Sequence, residues 1–192
     1  MSKDIYAYVF KGELTKSALE KTPALKRHSN SMTIDKEIAA RLPLELLDDE
    51  YINKARQMAT VYVAIAAFEN ATREFIIKVL MENLGDTWWE NGVSEKIRSR
   101  AEGRKQEEEK IKWHTQRGDN SINYTEMGDL VSIISQNQSL FEPYIDSLEW
   151  ARQIMISIER SRNVIMHSGE LGMQDIERIG TLMRDWINQV GA

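Results

Sequence analysis

The sequence has 192 residues and a mass of 22.2 kDa, the size of one domain with an extra arm, and its 42% of hydrophobic residues is enough for a sizeable core. The absence of cysteine excludes disulfide frameworks, thiolate zinc sites and cysteine nucleophiles, and ten Gly with only three Pro disfavour a β-sandwich. A formal net charge of -5 argues against a protein that coats nucleic acid non-specifically, but it leaves room for a small basic pocket.

Residues 1–45 differ from the rest of the chain and predict an N-terminal arm or extension. The aromatic and β-branched stretch 4–10 favours a short strand, and a short helix is expected around residues 34–42. Pro43 ends that piece, because the residue before a proline is pushed out of the helical conformation. Residues 46–192 are then expected to form one helical domain.

A long helix is predicted from about Asp48 to Asn83, because apolar residues recur there at helical spacing and no Gly or Pro intervenes before Gly85. Its apolar residues cover more than one narrow stripe. We therefore expect this helix to be buried on two sides, either between neighbouring helices or in a subunit contact.

Four further helices complete an all-α prediction of about five helices. The second begins after Ser94 as its N-cap, the third begins near Thr125, and the last two cover residues 147–167 and 173–190. No segment has the length and apolarity of a signal peptide or a membrane span, so a soluble protein in the cytoplasm, without a membrane partner, is expected.

The fourth predicted helix carries an arginine on its apolar side. On a wheel centred on Ile158, Arg162 lies about 40 degrees from the middle of the buried arc. Its guanidinium remains protonated there and needs acceptors, because burying an unpaired charge is costly. One interpretation is an internal ion pair, with Glu69 or Glu74 on the long helix as the partner.

His167 lies about 180 degrees and Asn163 about 140 degrees around the same wheel. An ideal helix therefore points Arg162 and His167 to nearly opposite sides. One chain brings them together if the helix unwinds at its end, which Ser168-Gly169 permits; two chains do so if a two-fold axis passes beside that end. Taken alone, His167 is better interpreted as a side chain that caps the helix C-terminus.

Arginine and histidine together suit the cleavage of RNA. A ribose 2′-OH is its own nucleophile, so the protein must supply proton transfer by His and a cation against the charge that develops on the phosphorane oxygens. The same pair of side chains also binds phosphate without cleaving anything. The chemistry alone leaves both interpretations open.

The segment Arg162 to His167, at the end of the penultimate predicted helix, resembles the R-x4-6-H motif of the HEPN (higher eukaryotes and prokaryotes nucleotide-binding) superfamily, including the polar Asn163 after the arginine. A second block resembles the Swt1-type HEPN subgroup in the order of its parts. These parts are Trp88-Trp89-Glu90, a basic helix, Trp113-His114, Arg117, Ile122 to Leu130, and Ile133-Ile134. The resemblance extends over roughly residues 50–190 and leaves residues 1–45 outside it.

This resemblance implies a HEPN-like helical bundle that forms a homodimer and joins two R-x4-6-H motifs in one cleft. It implies a metal-independent endoribonuclease without a cofactor, in a toxin, phage-defence or RNA-processing role, with an antitoxin or other protein as a further partner. Arg162 and His167 would be catalytic and Asn163 a polar supporter. The alternative is a non-catalytic HEPN module that binds RNA or a protein partner.

The second predicted helix and the loop after it carry eight cations between Lys96 and Arg117. Four of them, Arg98, Arg100, Arg104 and Lys105, are the candidates for RNA-backbone contacts, against the simpler interpretation of a solvated helix with alternating charge. His114, beside Trp113, either stacks on a base or packs a loop, and packing is favoured. Trp88 and Trp89 are expected to anchor the loop after the long helix.

Overall fold

The computed structural model describes residues 36–191. The chain divides into two units, Met1–Asn53 and Lys54–Ala192. Of the first unit, residues 36–39 are helical and Leu44–Leu46 form a 3-10 turn, which agrees with the expected short helix where it can be compared. The strand expected at residues 4–10 lies outside the described residues.

Between residues 44 and 191 the structure contains seven α-helices and no strand, so the predicted all-α class is confirmed. The helices are α1 (Asp49–Leu84), α2 (Trp88–Gly92), α3 (Glu95–Glu109), α4 (Met127–Gln136), α5 (Gln138–Phe141), α6 (Leu148–Met166) and α7 (Met173–Val190). Two more 3-10 turns, Gly85–Thr87 and Ser121–Tyr124, lie between them. The two helices beyond the expected five, α2 and α5, have only five and four residues.

Helix α1 contributes one buried stripe to the core. Its buried residues are Met58, Val61, Ile65, Phe68, Glu69, Thr72, Phe75, Ile76, Val79 and Leu80. The helix ends where Gly85 takes a φ of +64°, a left-handed conformation that glycine adopts without steric cost. None of the described residues covers the expected second side near Val63, whose side chain is 66% exposed.

The core is formed by α1 together with α4, α6 and α7. Helix α4 packs on α6, and α6 packs on α7. Trp186 of α7 lies at the centre of an aromatic cluster, stacked on Trp150 at 5.8 Å between ring centroids and edge-on to Phe68 and Phe75. This packing fixes α6 against α1, and so determines where the C-terminal end of α6 lies.

Trp88, the first residue of α2, is buried and meets Trp89 edge-on, which confirms that this pair anchors the segment after α1. Helix α3 packs on the turn Ser121–Tyr124. Among residues 36–191, no helix combines the length and the apolar character needed to cross a membrane.

Candidate functional site

Helix α6 ends in a defined turn that places His167. The backbone N–H of Ser168 donates to the carbonyl of Ile165 at 2.9 Å, and that of Gly169 donates to the carbonyl of Val164 at 2.8 Å. This pair of bonds is the Schellman arrangement, with Ser168 in the left-handed position at a φ of +61°. His167 is therefore the C-cap residue, with non-helical backbone angles (φ -100°, ψ 25°), and not part of the helix.

The direction predicted for His167 from an ideal helix is therefore wrong, whereas Arg162 lies on the core side of the helix as predicted. A helical wheel assigns 100 degrees to each residue, whereas the chain leaves the helix after Met166. Arg162, Asn163 and His167 all line one cleft of about 730 Å³. A second chain is not needed to bring these side chains to the same cavity.

Arg162 enters this cleft from the core side and is held by Glu69. Its Nη1 donates to both carboxylate oxygens of Glu69, at 3.4 and 3.3 Å. Of the two partners expected from the sequence, the structure selects Glu69, which is buried, over Glu74, which is exposed. Burial of a carboxylate requires such partners, because its hydration is lost.

A second arginine shares the same carboxylate. Arg73, one turn after Glu69 on α1, donates from Nη2 to Glu69 and, at 3.3 Å, to the carbonyl of Thr125. Its Nη1 donates to Asn70 at 3.1 Å. The sequence did not mark Arg73 as a site residue, although a spacing of four residues between Glu69 and Arg73 on a helix is typical of an ion pair.

The cluster of Glu69, Arg73 and Arg162 has more cationic charge and more donors than its carboxylate can satisfy. Two guanidinium groups against one carboxylate leave a net charge of +1. Nη2 of Arg162 has no acceptor among the described residues and is not one of the buried atoms. Because a guanidinium carries five N–H donors, this edge of Arg162 is available to an anion in the cleft.

His167 and Asn163 are exposed on the rim of the cleft. The imidazole of His167 makes no hydrogen bond to another residue in the range 36–191, so neither ring nitrogen is committed to a structural bond. A further cation, Arg117, lines the cleft from the segment between α3 and α4. In the sequence, Arg117 is one of the eight cations on and after the second predicted helix, but no pattern places it beside Arg162.

The four predicted RNA-binding residues on α3 do not share one environment. Arg100 and Arg104 both pair with Asp129, a buried carboxylate at the start of α4, and Arg104 also donates to the carbonyl of Tyr124 at 2.8 Å. Nε of Arg98 donates to the carbonyl of Val93 at 3.1 Å. Only Lys105 has no ion pair or side-chain hydrogen bond in the described part of the chain. Three of the four therefore serve the attachment of α3 to its neighbours.

No group of three or more His, Cys, Asp or Glu side chains within residues 36–191 is arranged to hold a metal ion. Comparisons with protein-family models, with curated proteins and with solved structures give no match.

Proposed function

We propose that the protein is a HEPN-type endoribonuclease that cleaves RNA without a metal ion, by attack of a ribose 2′-OH on the adjacent phosphorus. The observation that carries the proposal is the cleft itself, where Arg162, held by Glu69, and the uncommitted imidazole of His167 line one cavity. The resemblance of Arg162 to His167 to the R-x4-6-H motif adds to this chemistry. The biological role proposed is that of a toxin, a phage-defence protein or an RNA-processing enzyme.

The reaction requires two proton transfers and one stabilised anion. The 2′-oxygen forms a bond to phosphorus as its proton passes to a base, and the bond to the 5′-oxygen breaks as that oxygen receives a proton. The products are a 2′,3′-cyclic phosphate and a 5′-hydroxyl. His167 is assigned to proton transfer, Arg162 to the charge on the non-bridging oxygens, and Asn163 to hydrogen bonding at the rim.

A homodimer is part of the proposal, because one cleft contains one histidine whereas a concerted reaction uses a base and an acid. In a symmetric dimer, His167 of the second copy would supply the other proton transfer. Apolar side chains exposed beside the cleft support such a contact: Tyr62 is 41% and Met166 is 59% exposed, and both line the cavity. An antitoxin or another protein partner remains a prediction from the resemblance.

Cleavage assays on purified protein test the proposal. We expect mixed RNAs in EDTA to be cut to 2′,3′-cyclic phosphate ends, and His167→Ala and Arg162→Ala to reduce the rate by about 100-fold or more, because general acid–base and electrostatic contributions are each of that size. Arg178→Ala is the matched control, because Arg178 is an exposed arginine of α7 that does not line the cleft. Equal rates for wild type and both site variants would refute the assignment.

A further inference from the structure

Trp113 is the most exposed large hydrophobic side chain in the range 36–191, at 86% of its full surface. His114 beside it is exposed as well, so the expected packing of His114 in a loop is not observed. Tryptophan is usually largely buried, and Trp88 and Trp186 of this chain are. An indole exposed to water does not contribute the stabilisation that its burial would give. The exposed position of Trp113 therefore suggests that it contacts a ligand.

The loop that carries Trp113, residues 110–118, is attached firmly at its second end. The backbone N–H of Arg117 donates to Glu108 at 3.1 Å, and the guanidinium of Arg117 forms an ion pair with the same carboxylate. The hydroxyl of the buried Tyr124 donates to the carbonyl of Gly118 at 3.1 Å. The indole is therefore presented from an anchored loop.

The loop 110–118 is basic in sequence, although Glu107, Glu108, Glu109 and Asp119 flank it. The loop 110–118 contains Lys110, Lys112 and Arg117 and no acidic residue. Lys110 pairs with Glu107, whereas Lys112 forms no ion pair within the described part of the chain. The ring contact recorded for Trp113 is with His114, edge-on at 5.5 Å between centroids. An exposed aromatic face beside an unpaired lysine is an arrangement that binds unpaired bases along a phosphate backbone.

Arg117 connects this loop to the candidate site. It lines the cleft together with Arg162 and His167, and Trp113 precedes it by four residues. Four residues span at most about 14 Å of extended chain, so the indole lies within reach of a strand that passes through the cleft. A protein partner would not require this continuity with the guanidinium and imidazole groups.

We propose that Trp113 stacks on an unpaired nucleobase of the RNA strand whose phosphate lies in the cleft, with Lys112 and Arg117 contacting the backbone on either side. This proposal rests on the proposed function, because it takes the ligand to be the nuclease substrate. It makes the loop 110–118 the element that selects single-stranded over duplex RNA, since a paired base presents no free face.

Binding of uncleavable RNA tests the proposal independently of catalysis. Fluorescently labelled 2′-O-methyl oligonucleotides of about 12 nucleotides would be titrated with wild type, Trp113→Ala and Trp113→Phe, using anisotropy. We expect Trp113→Ala to bind about five-fold more weakly or worse, and Trp113→Phe to retain much of the affinity. A scan of single abasic positions should weaken the wild type at one position and leave Trp113→Ala insensitive there.

Met81→Ala is the matched control, because Met81 is an exposed apolar side chain of α1 that does not line the cleft. Unchanged thermal unfolding of Trp113→Ala would show that its fold is intact. The proposal is overturned if the wild type fails to bind these oligonucleotides or if Trp113→Ala binds as well as wild type. It is also overturned if the wild type loses the same affinity at every abasic position. If RNA is still cleaved and His167→Ala still abolishes cleavage, the proposed function survives that failure.

Discussion

Glu69 is the carboxylate that holds both partly buried arginines of the candidate site. It is 9% exposed and accepts hydrogen bonds from both Arg73 and Arg162. Removing one partner from a buried ion pair is expensive, because the remaining charge stays desolvated. The cost is therefore unequal among the three members: loss of either arginine leaves a paired carboxylate, whereas loss of the carboxylate leaves two unpaired guanidinium groups side by side.

Replacing Glu69 should therefore destabilise the protein more than replacing Arg162. We expect Glu69→Gln to lower the free energy of unfolding by about 2–3 kcal/mol and Arg162→Met by about 1 kcal/mol, below the range for fully buried pairs because Arg162 keeps part of its hydration. Urea denaturation of the single and double variants measures both values and the coupling between them. If Arg162→Met costs as much as Glu69→Gln, Arg162 is mainly a structural ion-pair residue.

The sequence predicted this residue-scale arrangement in part. A protonated guanidinium on the buried arc of α6 had to find acceptors, and Glu69 was one of two carboxylates in range. The choice between Glu69 and Glu74 depends on how α1 is rotated against α6, which long-range packing determines. Arg73 was missed because an i,i+4 pair on a helix surface is common and carries no functional signal by itself.

At the scale of the element, the end of α6 determines where His167 lies. Ser168 occupies a left-handed position that costs a non-glycine residue about 1–2 kcal/mol. Gly169, in contrast, is required by space: a Cβ there would lie 2.7 Å from Cγ1 and 2.8 Å from the carbonyl oxygen of Val164. The two neighbouring positions therefore respond to substitution in opposite directions.

We expect Ser168→Gly to stabilise the protein by about 0.5–1 kcal/mol, since relief of the left-handed strain exceeds the added entropy of the unfolded chain.

Gly169→Ala should lower the free energy of unfolding by about 1–3 kcal/mol, because the backbone carbonyl of Val164 cannot rotate away, and it should slow RNA cleavage by displacing His167. Thermal and urea unfolding measure the stability of both variants, and the cleavage assay measures the rate of Gly169→Ala.

Gly103→Ala on α3 is the matched control, because nothing lies within 4 Å of a Cβ at that position. It should stabilise α3 slightly and leave cleavage unchanged. A Gly169→Ala variant as stable and active as wild type would show that the turn after α6 does not hold the imidazole.

The long helices were predicted closely from their periodicity, and the short ones were not. Helix α7 has the bounds expected, and α1 and α6 differ from expectation by about a residue at each end. Helices α2 and α5 are too short to show a 3.6-residue repeat. The charge pattern of α3 predicts either an RNA track or a solvated helix, and it does not reveal that Asp129, 29 residues beyond Arg100, becomes buried and requires two of its arginines.

At the scale of the whole molecule, α1 has a side that residues 36–191 leave uncovered. On α1, Tyr62 is 41% and Val63 is 66% exposed, and at the end of α6 Met166 is 59% exposed. Apolar side chains scattered singly need no explanation, but here Tyr62 and Met166 also line the candidate cleft. A second copy covering this side would bury the apolar residues and bring its own His167 toward the same cavity.

A charge at Val63, an exposed position next to the cleft residue Tyr62, should therefore separate the copies without unfolding them. We expect Val63→Lys to convert a dimer into a monomer in sedimentation velocity, because an interface cannot bury an unpaired ammonium, and to reduce cleavage by at least about ten-fold. Met81→Lys, the same change on the same face of α1 but about 27 Å further along the helix and outside the cleft lining, should keep both the dimer and the activity. A Val63→Lys variant that remains dimeric would show that Val63 lies outside the interface. A wild-type protein that stays monomeric while cleaving RNA would show that the cleft of a single chain is the complete site and that the second histidine is not used.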